Sequence, residues 1–398
     1  MKIDKKNIVH WIVLALFAIN VIAAILFRPF CNKKSKKKIV LYGHKLSGNL
    51  LAIYEYLKAH DQVGCDVVFL TMDQRYYYEL IADDLSSVLA TRFQCIKLLS
   101  KADAVISDHG LHVMSLMLYF SNLKFFDVWH GIPFKGFDAK DFRIQQRYDE
   151  CWVASPLLEK IYIERFGFRP NKIKITGYAR TDVLVKQDKN REQIKRSFGL
   201  VDGDIGKIVL FAPTWKQDAQ QRSLFPFGMD ERAFFRALSE LAQRNHATFV
   251  MRAHLNSGNG TNSTWPGIVQ LPHAQYPDTE SLLLVSDILV CDWSSIAFDF
   301  LLLNRPTLFL DVEAPFAKGF SLDASYRFGP IIANMGELLE LLQRYLNEPW
   351  EYEARYSEHA KKIRNDVYGE YADGAATIRC VGRLRTHSGI PDINGELT

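Results

Sequence analysis

The chain has 398 residues, too long for one ordinary hydrophobic core and suited to about two domains. A hydrophobic content of 48% with 24% charged residues excludes a disordered or low-complexity chain. The net charge of +4 is uneven: residues 1–40 carry nine Lys/Arg against Asp4, for +8, which leaves −4 on the remainder. The basic balance therefore belongs to a tail and lends no support to nucleic-acid binding by the body.

Ile8 to Phe27 is a run of twenty residues interrupted only by His10 and Asn20. At helical rise it just spans a bilayer core of about 30 Å. A secretory signal and a buried globular helix are its rivals, but no small-x-small cleavage site follows the run. Arg28 to Lys38 carries six positive charges against three before the run. The positive-inside rule then predicts a single-pass protein of the cell (inner) membrane with its body in the cytoplasm. The same flank suits anionic lipid headgroups. Six scattered cysteines without a CxxC or a Cys/His cluster fit reduced thiols and predict no metal site.

Beyond Lys38, short apolar runs alternate with amphipathic stretches. Strands are predicted at Ile39–Tyr42, Cys65–Leu70, Ala104–Ile106, Phe125–Trp129 and Cys151–Val153, with a helical stretch through Leu57. A charge-rich segment follows, and the pattern restarts. Strands are predicted at Ile208–Phe211, Thr248–Met251, Ile288–Val290 and Thr307–Leu310, with helices at Phe234–Asn245 and Ile296–Leu303. Met335 to Leu384 reads as helices and the last dozen residues as a frayed end. Apolar strands separated by helices predict parallel sheets covered on both faces. The expected fold is α/β: two facing Rossmann-like domains with a cleft between them, plus an N-terminal transmembrane helix. The expected divisions are an anchor with its basic flank (1–37), a first domain (38–185), a linker (186–206), a second domain (207–345) and C-terminal helices with a tail (346–398).

In open α/β sheets ligands bind beyond the carboxyl ends of the strands, so those ends are where chemistry is sought. The apolar run Phe125–Trp129 stops at His130-Gly131. Histidine is the side chain best suited to moving protons near neutral pH. The strand at Ile208 ends in Ala212-Pro213-Thr214-Trp215-Lys216, and the strand at Thr248 in Arg252-Ala253-His254. Thr214 adds a hydroxyl and Trp215 a stacking face or only a core residue. Arg252 and His254 share one side of an extended chain, a cationic pair suited to a diphosphate; a hydrogen-bonded structural histidine is the plainer alternative for His254. The strand at Ile288 ends in Asp292-Trp293-Ser294-Ser295 before a helix, where free amides and hydroxyls suit a phosphate; a plain helix cap explains the same residues. Arg180 in Gly177–Asp182 is either a bidentate phosphate clamp or half of a surface pair with Asp182. His44, His109 and His112 carry no local signal. There is no GxxxxGK[ST] loop, and no cofactor is expected.

Together these segments resemble the CDP-glycerol glycerophosphotransferase family, the teichoic-acid primases and polymerases. Trp129 to Lys135 is similar to that family's Trp-His-Gly-Thr-Pro-Leu-Lys, and Gly177–Asp182 to its Gly-Tyr-Pro-Arg-Asn-Asp. Ala212–Lys216 resembles Ala-Pro-Thr-Trp-Arg, and Arg252–His254 resembles Arg-x-His. Ser286-Asp287, Asp292–Ser295, Asp299 and Asn304-Arg305-Pro306 resemble its Ser-Asp, Asp-Tyr-Ser-Ser, Asp and Asn-Lys-Pro block. Gly329-Pro330-Ile331 and Asp373–Ala376 are similar to its closing motifs. Ile132, Ala179 and Trp293 stand where the pattern has Thr, Pro and Tyr, and Lys318-Gly319-Phe320 only faintly echoes its Arg-Gly-Phe-Tyr segment.

The resemblance implies a GT-B fold, CDP-glycerol or a related CDP-polyol as donor, and a lipid-linked or glycan acceptor at the membrane. It implies His130 as general base and His254 as acid or donor-phosphate contact. Gly131, Lys135, Arg180, Asp182, Thr214, Trp215, Arg252, Asp292, Ser294 and Ser295 are the implied substrate-binding residues. A GT-B sugar transferase and a CDP-ribitol enzyme are the nearest rivals. A catalytically inactive, membrane-anchored scaffold module is the rival from another class.

Overall fold

The structure is a computed structural model and describes residues 3–31, 36–60, 64–200, 205–213, 226–252, 265–273 and 275–388. The chain divides into two compact units. One comprises Met1–His130, Asp138–Asp182 and Tyr371–Thr398; the other comprises Gly131–Phe137 and Val183–Glu370.

In the first unit the elements run α1 (Ile8–Phe27), β1 (Lys37–Tyr42), α2 (Gly48–Ala59), β2 (Cys65–Thr71), α3 (Gln74–Ala82), β3 (Ser87–Leu89), α4 (Gln94–Lys101), β4 (Ala104–Ser107), α5 (Met117–Phe120), β5 (Lys124–Asp127), β6 (Glu150–Val153), α6 (Pro156–Glu164) and β7 (Ile173–Ile175); α7 (Asp182–Lys186) starts on the last residue of the Asp138–Asp182 segment and continues in the second unit. The seven strands pair in parallel in the order β3-β2-β1-β4-β5-β6-β7. Successive residues of a strand face opposite sides of its sheet. Ile39 and Leu41 accordingly enter one core with Leu50, Ile53 and Phe126, whereas Val40 and Tyr42 enter another with Leu70, Leu99 and Phe125. Burial on both faces explains why the Ile39–Tyr42 part of β1 reads as an unbroken apolar run.

The second unit contains α8 (Arg191–Ser197), β8 (Lys207–Phe211), α9 (Glu231–Arg244), β9 (Ala247–Met251), β10 (Ile268–Gln270), α10 (Thr279–Val285), β11 (Ile288–Cys291), α11 (Ile296–Leu301), β12 (Thr307–Leu310), β13 (Ile331–Ile332), α12 (Met335–Asn347) and α13 (Pro349–Tyr368). Its parallel sheet runs β10-β9-β8-β11-β12-β13. The short edge strands β3, β7, β10 and β13 are absent from the sequence reading because two or three residues carry no periodicity. The chain then returns to the first unit as α14 (Ala376–Ser388). Asp182 accepts from the amides of Ala376 and Thr377 at 2.9 and 2.8 Å, and Arg383 pairs with Glu150 on β6. The carboxylate thus caps the start of α14.

Helix α1 is long and apolar enough to cross a membrane. One of its faces is packed. Phe17, Val21 and Ala24 lie in the core beneath β1 and α4. Asn20 donates to the carbonyls of Ala90 and Arg92, and Arg28 donates to Leu99, Ala102 and the Asn122 side chain. Ile8, Ile12, Leu16, Ile19, Ile22 and Leu26 remain exposed on the other side.

Candidate functional site

In both sheets the strand order reverses beside the first strand of the unit: between β1 and β4 in one, between β8 and β11 in the other. Such reversals open a crevice at the carboxyl ends of the strands. In the first unit those ends carry Gly43-His44 after β1, Asp108-His109 after β4 and Trp129-His130 after β5. These three strands are adjacent in the sheet. A Cβ on Gly43 would collide with the Asp108 carboxylate, so glycine lets the β1 and β4 ends approach.

His130 sits three residues beyond β5, at an exposed turn. Its Nδ1 meets the carbonyl oxygen of Asp108 at 3.0 Å. A carbonyl only accepts, so Nδ1 carries the hydrogen and Nε2 keeps the lone pair. The residue as a whole is exposed, yet desolvation by the surrounding protein and the neighbouring His109 charge lower its pKa to about 4. The ring is therefore neutral, and able to accept a proton, at neutral pH.

The backbone around His130 is held by residues from two other segments. Asn49, buried at the start of α2, donates to the carbonyls of Val128 and Trp129 at 2.8 and 2.9 Å and accepts the Arg180 amide at 3.0 Å. The Arg180 guanidinium, only 6% exposed, donates to the carbonyl of His130. Arg180 thus lies beside His130, bonded to its main chain, rather than in a surface pair with Asp182. Asp182 is buried, and both its carboxylate oxygens accept from amides at the start of α14.

Gly131 to Phe137 belongs to the second unit. Lys135 bridges antiparallel to Phe320, and Gly136 donates to the Gly319 carbonyl at 2.7 Å. Ser321 Oγ donates to the Lys135 carbonyl, and the Phe134 ring lies 4.6 Å from Phe298 and 5.8 Å from Trp293. Gly131 is buried. The Lys318-Gly319-Phe320 segment is therefore the strand-like partner of the residues that follow the histidine.

At the switch point of the second sheet, Asp292 Oδ1 accepts from the Trp293 amide at 2.6 Å and Trp293 Nε1 donates to the Val312 carbonyl. Ser294 and Ser295 are half-buried; Ser295 occupies the cap position of α11 but makes no side-chain capping bond. That helix has only six residues, so its end contributes little directed field. Arg252, at the end of β9 and 7% exposed, donates from Nη2 to Thr279 Oγ1 at 2.8 Å, while Nη1 has no partner among the described residues. Burial lowers its pKa to about 10 against the pull of Glu280 and Asp278. It remains a cation.

Arg327 escaped the sequence reading. Its guanidinium lies 4.1 Å over the Trp293 ring, a cation–π contact, and its buried Nε and Nη1 have no partner among the described residues. Two idle buried donors of this kind are costly unless an anion meets them. No motif marks Arg327; the loop before β13 alone brings it to Trp293. Asn49 is equally silent, being one polar residue in an amphipathic stretch. Thr214, Trp215 and His254 lie outside the described residues. Among the described residues no group of three or more His, Cys, Asp or Glu could hold a metal ion.

Comparison with known proteins adds to this geometry. The family model described as CDP-Glycerol:Poly(glycerophosphate) glycerophosphotransferase matches residues 24–385. A teichoic acid glycerol-phosphate transferase of Staphylococcus aureus is 26% identical over 344 residues, covering 79% of this chain and 85% of the relative. A teichoic acid poly(glycerol phosphate) polymerase of Bacillus spizizenii is 23% identical over 354 residues, covering 82% and 88%. Among solved structures, the H548A form of the wall teichoic acid polymerase TagF superposes with a TM-score of 0.74 at 20% identity, covering 95% of each chain. That likeness shows the GT-B-like fold. The chain belongs to the CDP-glycerol:poly(glycerophosphate) glycerophosphotransferase family.

Proposed function

We propose that this enzyme transfers glycerol phosphate from CDP-glycerol to a hydroxyl of a membrane-associated acceptor and releases CMP. The observation that carries the reading is His130: a neutral ring whose Nδ1 is bound to the Asp108 carbonyl, leaving Nε2 to act as base. The acceptor hydroxyl gives its proton to Nε2. Its oxygen bonds to the β-phosphorus as the bond from that phosphorus to the bridging oxygen breaks, and CMP leaves with the bridging oxygen. Such transfer depends chiefly on positioning and on stabilising charge at phosphorus. Arg252 and Arg327, with the hydroxyls of Ser294 and Ser295 in the turn shaped by Asp292, take that role in the second unit. Gly131 and Lys135 join the substrate contacts, as do Thr214, Trp215 and His254.

Membrane attachment belongs to the same reading. The exposed apolar side of α1 meets lipid while its packed side, from Phe17 to Arg28, stays on the first unit. A helix held along the unit in this way lies beside it and keeps the body at the membrane surface. The basic flank after α1 suits the anionic headgroups of the cytoplasmic leaflet, the side on which the nucleotide donor is available.

The test is CMP release by detergent-solubilised full-length protein offered CDP-glycerol, CDP-ribitol and UDP-sugars, with a synthetic lipid bearing a terminal glycerol phosphate as acceptor. CDP-glycerol is expected to be the preferred donor. His130→Ala should fold normally and lose about 10²–10⁴-fold in rate. Near-full turnover by that variant sinks the base assignment, and donor binding with no CMP release points to a scaffold.

A further inference from the structure

We propose that His109 is a positioning residue for His130, on which it stacks within a histidine cluster at the switch point of the first sheet. The proposal rests on the reading of His130 as base. The stack follows from topology. Parallel strands that are neighbours end on the same edge of a sheet, so the residues just past β1, β4 and β5 converge although they are far apart in sequence. The His44 and His109 ring centroids are 4.3 Å apart; those of His109 and His130 are 4.4 Å apart with the planes only 6° from parallel. Trp129 flanks His130 at 4.3 Å.

Asp108-His109 holds His130 in two ways. Its main chain receives the Nδ1 hydrogen at the ring edge, and its imidazole covers one ring face. Edge and face together fix both the tilt of His130 and the direction of Nε2. His109 is itself fixed: Nδ1 lies 2.7 Å from Asp108 Oδ1, and Ser107 Oγ bonds the His109 backbone on both its carbonyl and its amide. Lone pairs of near-parallel stacked rings do not converge on one point, so the arrangement suits support and charge rather than an ion.

The groups facing the pair are His44 from the end of β1, Asp108 and His112 from the end of β4, Asp127 from β5, and Arg180 from the turn before α7. Burial alone would lower the His109 pKa; the charge and hydrogen bond of Asp108, with Asp127 behind them, outweigh it and raise the pKa. Burial first, and then any charge on His109, oppose protonation of His130. Two like groups driven apart in this way can hold separate roles.

The test compares His109→Phe, which keeps a stacking ring without the charge, and His109→Ala, which loses both, with His130→Ala. The readouts are the pH profile of CMP release from CDP-glycerol with the same lipid acceptor, kcat and KM separately, and thermal unfolding. His109→Phe is expected to move the acid limb of kcat/KM upward by about one pH unit. His109→Ala should in addition lower kcat about tenfold with little change in the KM for CDP-glycerol. Should His109→Ala fail to fold, the near-isosteric His109→Phe profile decides. An unmoved profile and wild-type kcat in the His109 variants, with His130→Ala inactive, overturn the proposal but leave the base intact. A raised KM alone assigns His109 to donor binding and also overturns it. Full activity in His130→Ala overturns both.

Discussion

The Asn49 side chain donates to the Trp129 carbonyl at 2.9 Å, so the residue before the candidate base is held by one 80 positions away. The same amide reaches Val128, and its oxygen accepts Arg180. One buried side chain therefore ties α2, the end of β5 and the Arg180 turn together.

Asn49→Ala removes the Asn49 side-chain bonds to those three backbone groups in a buried setting. A loss of about 2–4 kcal/mol is expected from chemical denaturation, at about 1–3 kcal/mol per unsatisfied buried group with partial relaxation. Activity at temperatures where the variant is fully folded should fall mainly in kcat, because Trp129-His130 is no longer clamped. An unchanged kcat would show that the clamp serves folding alone.

Arg252 and Arg327 are each buried with donors that have no partner among the described residues. Arg252→Met and Arg327→Met should each raise the KM for CDP-glycerol at least about tenfold, the value of one charge-assisted bond of about 1.5–3 kcal/mol. Stability should hold or rise, since buried donors without partners among the described residues are removed. Wild-type KM in both variants would remove them from the donor site.

The outer face of α1 is expected to meet lipid. Ile12→Lys with Ile19→Lys should shift the protein from the membrane fraction to the supernatant on sedimentation, with unfolding unaltered. Asn20→Ala should do the reverse: it costs stability of the first unit through two lost backbone bonds and leaves the protein on the membrane. Retention of the double lysine variant on vesicles would assign attachment elsewhere.

Asp127 is fully buried at the end of β5, and burial raises its pKa to about 7 despite bonds from Cys151 Sγ and the Trp129 amide. The folded state therefore holds this proton where the unfolded chain has released it. Its contribution to stability is present below the ordinary carboxylate range and is lost as pH rises toward 7. Asp127→Asn should gain Tm relative to the parent at pH 8 and much less at pH 5. Equal differences at both values would contradict the raised pKa.

His44 and His112 shift the other way. Burial lowers them to about 3 and about 4, from an ordinary value of 6.5. The unfolded chain takes up protons first, so stability falls as pH drops from about 6.5 toward 4. His112→Phe should flatten that part of the Tm profile, at the expense of the Tyr42 hydrogen bond. A slope unchanged in the variant would assign the acid loss to other groups.

Elements with strong periodicity, and the strand ends where chemistry gathers, are legible in the order of the residues. An apolar run such as Val40–Tyr42 is readable because both faces of its strand are buried, and His130 is readable because the run before it stops abruptly. Motifs of adjacent residues, Trp129–Lys135 or Asp292–Ser295, are local and so visible in one dimension. What lies beside them depends on how the chain folds back on itself. His109 stacks on His130 because β4 and β5 are neighbours in the sheet, and Arg327 covers Trp293 because a loop returns to the end of β11. Asp182 reads as a ligand in its motif, and it caps α14 because the chain comes back to the first unit almost two hundred residues later. Long-range pairing depends on strand order and chain return, and neither leaves a periodic trace in the residues it joins.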